Sequence, residues 1–531
     1  MSGAVGTWGM ARLVLRRSRV LIGGWIVVLA GMAALSAGAT AGLYPDESSL
    51  VAAAAAVNDI GALVALYGRV YDPTSLGAVS MIKLGGFGAV FVAMLSVVLV
   101  VRHTRAEEES GRAELLGATA IGRLAPLLGV GVAVLLTNLV LAAATALGLI
   151  AAGLPADGSV AFGVAWGGVG LAFAAIAALC AQLTSSGRAA TSASAVALAI
   201  VYLLRAVGDA AEPSGPWWLS WLSPIGWGQQ FRPFAGNRWW VLGITLVFTA
   251  VVGAVALIVA DRRDLGTGVF AVRPGPASAV PRLRSPMALA WRLQRASFFG
   301  WAVLFAAFGA LLGSLATNLS GFLSNEATRD FFTTLAGQKS IEDQFLAIEL
   351  AFAGIVASAY GISTVVHLRT EETELRAEPV LATAVGRLRW SAGHLVIAFG
   401  GTAMLVMVFG LGAGATYAAS MGDAGRFGSV LGAALVHVPA AWVVVAITVL
   451  AFGAAPRAIA AGWVSLTAFV LLAELGPLLE LNHWFMDLSP FTHVPKLPGA
   501  TFSALPLAVL AAVAVGLTVA GLAGLQRRDI L

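Results

Sequence analysis

Lysine is nearly missing from this chain: Lys83, Lys339 and Lys496 stand against 29 arginines in 531 residues. A phosphate loop of the form GxxxxGK[ST] needs a lysine behind its glycines, and none of the three has that context. Gly337-Gln338-Lys339-Ser340 lacks the spacing, so the chain carries no P-loop for ATP. Cysteine is reduced to Cys180, inside an apolar run, which excludes an internal disulfide and a thiolate metal site. The six histidines form no HExxH and there is no GxSxG elbow, so an enzyme has no supporting motif. Charged residues make up only 11% of the chain against 59% apolar, with a mean hydropathy of +0.88. That balance excludes a soluble globular domain and makes this a polytopic membrane protein. The net charge of +5 reflects how arginines flank membrane spans, and no nucleic-acid partner is expected.

What is abundant is long apolar sequence. Runs near the ~20 residues that cross a bilayer lie at about 20–40, 80–101, 126–152, 160–183, 189–207 and 240–260. Six more lie at about 298–318, 345–366, 390–418, 428–452, 458–479 and 502–525. The expected fold is therefore all-α, with twelve transmembrane helices in two parallel six-helix repeats. Residues 1–264 form the first half, 265–284 a cytoplasmic linker rich in Pro and Arg, and 285–531 the second half. Arginine falls mostly on the side of the N-terminus, which places both termini in the cytoplasm of a cell-membrane protein. Basic residues Arg12, Arg16 and Arg19 precede the first span at helical spacing, as expected for an amphipathic helix on the inner surface. Ser285 and Pro286 offer an N-cap and first turn for the corresponding segment of the second half.

Between the second and third runs lies a charged insert, RAEEESGRAELLGATAIGR, from Arg105 to Arg123. It recurs 264 residues later as RTEETELRAEPVLATAVGR, Arg369 to Arg387. Arg105, Glu107, Glu108, Arg112 and Glu114 meet Arg369, Glu371, Glu372, Arg376 and Glu378 without a gap. Topology alone gains little from acids, yet 102–125 and 368–389 each hold four Arg and four Glu, so a surface for a partner is the better reading. Each insert is expected to be a helix with Glu108–Arg112 and Glu372–Arg376 as i,i+4 pairs, each worth roughly 0.3–0.5 kcal/mol, stopped at Gly122 and Gly386. The duplication extends further: Leu222-Ser223-Pro224 matches Leu488-Ser489-Pro490, and Arg262-Arg263-Asp264 matches Arg527-Arg528-Asp529. Two repeats entering in the same direction imply a symmetry axis along the membrane normal, with the substrate route on it.

Few ionisable residues sit within spans: Arg205, Glu349, His394, His437 and Glu474. Tyr202, Phe345, Glu349 and Glu474 are the candidates for lining a substrate route. The segment Trp217 to Trp240 carries six of the fifteen tryptophans, broken by prolines, and reads as a pair of short helices or a re-entrant element at the headgroup layer. Trp221, Pro224 and Trp227, with Pro490 in the shorter counterpart 482–499, are candidates for an outer gate.

The pattern R-x-E-E…R-x-E…A-T-x-x-G-R, the Ser-Pro outer elements and the terminal Arg-Arg-Asp resemble type-2 permease subunits of ATP-binding-cassette (ABC) exporters. The doubled form is similar to actinobacterial permeases for export of polyketide antibiotics such as tetronasin, or of multiple drugs. Ala120 and Ala384 depart from that pattern, which often has proline there. The resemblance implies that two copies of a separate ATPase, binding ATP and Mg, dock on the inserts as coupling helices to expel a lipophilic small molecule. The chain itself would be no enzyme and hold no cofactor. Two other classes compete: an ion-coupled secondary transporter depending on Glu474, and a membrane-embedded enzyme acting on lipids. The topology predicts that, with Cys180 replaced, Ser214→Cys is labelled from outside and Ser110→Cys only after permeabilisation; the reverse pattern overturns it.

Overall fold

The computed structural model describes residues 3–44, 46–59, 61–211, 215–264, 266–269, 278, 283, 285–318, 341–475 and 482–528. Every regular element among them is helical, and the chain divides into two compact units, Met1–Gly275 and Pro276–Leu531. Eleven helices among the described residues are long and apolar enough to cross a membrane. The run expected at 458–479 is described as helix only over Ala461–Leu475, 15 residues, below the ~17–25 that a crossing needs. Residues 476–481 lie outside the described set.

The first unit contains α1 (Thr7–Leu43), α2 (Glu47–Asn58), α3 (Gly61–Tyr67), α4 (Leu76–Lys83) and α5 (Ala89–His103). Between α4 and α5 is a π-helical turn, Leu84–Gly88. Then come α6 (Arg105–Glu109), α7 (Arg112–Gly117), α8 (Ala125–Ala151), α9 (Ala156–Leu183), α10 (Gly187–Ala210), α11 (Pro224–Gln230) and α12 (Trp240–Arg262). The amphipathic stretch around Arg12–Arg19 is not a separate surface helix. Nothing between Thr7 and Gly23 breaks a helix, so it runs unbroken into the first span. At ~1.5 Å per residue, 37 residues far exceed the ~30 Å hydrocarbon layer. Helices α5 and α9 are the buried centre of this unit, whereas α1 and α12 are mostly exposed. Lipid tails are as apolar as leucine, so such helices associate through close packing of small residues. Accordingly Gly163 of α9 lies so near α8 that a Cβ there would sit 2.3 Å from the Ala142 carbonyl oxygen. Trp166, fully packed on α9, donates its indole N–H to the Leu84 carbonyl at 3.2 Å, where the π-turn opens the helical ladder.

The second unit holds α13 (Pro286–Asn318), α14 (Ile341–Thr373), α15 (Glu378–Leu381), α16 (Arg387–Met421) and α17 (Gly425–Leu435). It continues with α18 (Val438–Ala454), α19 (Ala461–Leu475), α20 (His483–Met486) and α21 (Ala504–Arg527). The expected start of α13 is present: Ser285 Oγ accepts from the Ala288 N–H at 3.2 Å and Pro286 occupies the first turn. Helices α18 and α21 meet glycine to glycine. A Cβ on Gly453 would lie 1.8 Å from the Gly521 carbonyl oxygen. Gly453→Ala is expected to force α18 and α21 apart, at the ~1–3 kcal/mol typical of overpacking. A melting temperature in detergent equal to that of the wild type would refute this contact.

Candidate functional site

The inserts do form helices, but not the single helix expected. In the first, α6 ends at Glu109 and α7 begins at Arg112, and between them the chain turns at Gly111 with φ 72°. In the second, α14 runs through to Thr373, and the same turn falls on Leu375, 264 positions after Gly111, at φ 58°. A leucine in this left-handed conformation stores strain of order 1–3 kcal/mol, so the surrounding contacts over-determine it. The helices stop at Gly117 and Leu381, ahead of Gly122 and Gly386. Gly122 instead gives its N–H to the Val5 carbonyl at 2.8 Å, tying the insert to the start of the chain.

This turn also breaks the expected i,i+4 pairs, since the residues no longer share one helical face. Glu108 binds Arg105 through one carboxylate oxygen at 2.6 Å and Arg263 through the other at 2.5 Å. Arg112 approaches Glu107 instead, at 3.8 Å, and Glu107 is held at 2.7 Å by Arg17 of α1. In the second unit Glu372 is clamped the same way, by Arg369 at 3.1 Å and Arg528 at 2.6 Å. Arg376 pairs with Glu371 at 3.0 Å and with Glu374. Each clamp joins an insert to the residues ending a long helix, α12 or α21.

Further donors close both clamps. Arg123 donates to the Arg263 carbonyl at 2.6 Å and Arg387 to the Arg528 carbonyl at 2.5 Å. Arg105, itself 1% exposed, also donates to the carbonyls of Thr267 and Gly266 at 3.0 and 3.1 Å, so the chain leaving α12 folds across it. Arg263 reaches Gln182 at the end of α9, at 2.6 Å, while Arg528 lies over the Phe452 ring at the end of α18, 4.9 Å from its centroid. The units differ one turn earlier. Buried His103 bonds Ser18 at 2.7 Å, whereas His367 faces Glu371 at 3.3 Å and buried His394 bonds Gln294 at 2.6 Å.

Of the ten insert residues expected to face a partner, Arg105, Glu108, Glu371 and Glu372 are thus buried or nearly so in contacts within the chain. Arg112, Glu114, Arg376 and Glu378 are exposed, beside Leu115 and Leu375 at 74% and 56% exposure. Arg17, Arg123, Arg263, Arg387 and Arg528 were not among the expected site residues. The signal for Arg123, Arg263, Arg387 and Arg528 was the repeated Arg-Arg-Asp and the arginine closing each A-T-x-x-G-R.

The other candidates sit apart from the inserts. The Tyr202 hydroxyl donates to the Leu66 carbonyl at 2.6 Å, under the guanidinium of fully buried Arg205. Phe345 and Glu349 are half-buried one turn apart on α14. Glu474 falls near the end of α19, and its side chain lies outside the described residues. The Trp-rich segment is a pair of short helices, Trp217–Leu222 and α11, with Ser223 capping the Gly226 N–H at 3.2 Å ahead of Pro224. Trp227 is buried and donates to the Trp221 carbonyl at 2.6 Å, while Trp217, Trp218, Trp239 and Trp240 are exposed. Pro490 is buried and opens the turn Pro490–His493 in the second unit.

A family model described as the C-terminal domain of the multidrug efflux system permease Rv1217c matches residues 283–526. The chain is also 41% identical over 532 residues to the multidrug efflux system permease protein Rv1217c of Mycobacterium tuberculosis, across 100% of this chain and 96% of that protein. Because the Glu372 side chain is 0% exposed and doubly paired, Glu372→Ala is expected to cost about 2 kcal/mol. This is below the ~3–5 kcal/mol of a wholly buried pair, since both arginines keep some solvent. Exposed Glu374→Ala should stay within ~0.5 kcal/mol. Equal losses of thermal stability in detergent would show that the clamp carries no special weight.

Proposed function

Because the chain belongs to the family of the multidrug efflux system permease Rv1217c, we propose that it is the permease of an ABC exporter. It carries lipophilic drugs or antibiotics out of the cell, using ATP hydrolysed with Mg on a separate ATPase subunit. The full span count in this reading is twelve, in two six-span repeats, with both termini in the cytoplasm. The observation that carries it is the twice-built clamp. An exposed turn bearing Arg112, Glu114 and Leu115, or Arg376 and Glu378, stands on a carboxylate bound to the end of a long helix through Arg263 or Arg528. A solvated loop has no need of such a mount. A surface that receives mechanical work does, and two of them suit two ATPase copies.

The roles within each insert then divide. Arg112, Glu114, Arg376 and Glu378 meet the ATPase. Arg105, Glu108, Arg369, Glu371 and Glu372 carry its displacement into the membrane helices, with Glu107 linking the insert to α1. Tyr202, Phe345, Glu349 and Glu474 remain our candidates for substrate contact, and Trp221, Pro224, Trp227 and Pro490 for the outer gate.

Charge reversal tests the docking faces. Arg112→Glu with Glu114→Lys, and separately Arg376→Glu with Glu378→Lys, keep net charge and leave the clamps intact. Each pair is expected to reduce co-purification of the ATPase and drug export at unchanged membrane abundance, by the ~2–5 kcal/mol of shielded charge pairs. Full ATPase recovery and export in both variants would sink the docking assignment.

A further inference from the structure

Behind α7, on the side away from its exposed Leu115, is a cavity of about 270 Å³ enclosed by α1, the insert and the end of α12. One wall is apolar, formed by Leu13 and Val14 of α1 with Leu116 and Leu127. The rim is charged, with guanidinium groups from Arg17, Arg123 and Arg263 against the carboxylates of Glu107 and Glu108. Those carboxylates are already occupied. Glu107 is bound by Arg17 at 2.7 Å and approached by Arg112 at 3.8 Å, and Glu108 by Arg263 at 2.5 Å and Arg105 at 2.6 Å. Three arginines and two carboxylates line the cavity, so its lining carries one positive charge in excess. Arg17 spends one terminal nitrogen on Glu107 and Arg123 one on the Arg263 carbonyl, which leaves each with further N–H groups for an anion.

We propose that this cavity binds the headgroup of an anionic glycerophospholipid. Its volume falls just short of the roughly 300–1,000 Å³ that engulfs a drug-sized ligand, so it suits a phosphate-bearing headgroup whose chains lie outside. The adjoining exposed face of α1, including Leu13 and Val20, supplies an apolar surface for those chains. Basic pockets between helix ends are a recurrent way of holding such headgroups. The site belongs to the first unit. Arg16 and Arg19, with Gly24-Trp25, recur as Arg292 and Arg295 with Gly300-Trp301, but the place of Arg17 is taken by Leu293. Since Ala113, Leu116 and Gly117 of α7 form part of the lining, a bound headgroup sets the position of the insert from behind. The inference concerns lipid binding alone and stands whether or not an ATPase docks on the outer face of α7.

The test uses the full chain in neutral detergent, titrated with dihexanoylphosphatidylglycerol, dihexanoylphosphatidylcholine or inorganic phosphate and read by native mass spectrometry. One phosphatidylglycerol per chain is expected, in preference to phosphatidylcholine. Arg17→Gln with Arg123→Gln should weaken it roughly thirtyfold, the sum for two arginines facing an anionic headgroup. Arg12→Gln with Arg19→Gln removes the same charge elsewhere on α1 and should leave binding unchanged. Ala113→Phe keeps every charge and fills the cavity, so it should abolish binding, and it decides the matter if the arginine variant does not fold. Equal binding of both lipids, equal loss in both arginine variants, undiminished binding by Ala113→Phe, or displacement by inorganic phosphate at matching concentration would each overturn the proposal.

Discussion

A carboxylate caught between two arginines is the constraint on which the insert end of each unit depends. Glu108 and Glu372 could not stay buried as anions without it, because the desolvation of a lone carboxylate costs several kcal/mol. Each supplies both oxygens, one to an arginine on its own helix and one to the arginine that follows the last long helix of its unit. The arginines are then held in turn, through Thr267 and Gln182 in one case and Phe452 in the other. The insert is thereby fastened to the far end of its unit in sequence, about 155 residues away in each case.

That fastening explains two local oddities. The turn that interrupts each insert helix is required so that Glu108 and Glu372 can face inward while Arg112 and Arg376 face outward. It forms whether the residue at its apex is Gly111 or Leu375, so tertiary contacts and not glycine's freedom impose it. The long helices α1 and α13 run unbroken past the hydrocarbon thickness because their N-terminal parts reach the helix ends beside each insert. Arg17 reaches Glu107 of the first insert and Ser18 reaches His103 at the end of α5, while Gln294 reaches His394 of α16 in the second unit. The replacement of Arg17 by Leu293 leaves Glu371 to a histidine and to Arg376, which makes the two insert joints chemically different despite their common clamp.

The charge pattern alone misassigns what several insert residues touch. Periodicity assumes that a helix continues, so Glu108 and Arg112 were set as neighbours. The chain turns between them, and Glu108 finds Arg263 instead. The arginines of the clamp were visible as the repeated Arg-Arg-Asp, but a repeat states that a residue is needed without stating its partner. Likewise Trp221 and Trp227 were grouped with the interfacial tryptophans, although Trp227 packs inside the unit and only its neighbours at 217, 218, 239 and 240 are exposed.

The sequence by itself determined that this chain lives in a membrane, that it is helical, that it carries no P-loop, and that one charged motif is written twice. These follow from composition, run length and spacing, which act locally along the chain. Tertiary structure decided which half of each motif is buried, where the helix breaks, and that a cavity opens behind α7. Those outcomes depend on where a carboxylate can find two guanidinium groups at once. Arg263 and Arg528, about 155 residues along the chain from their carboxylates, are brought to that point by tertiary packing.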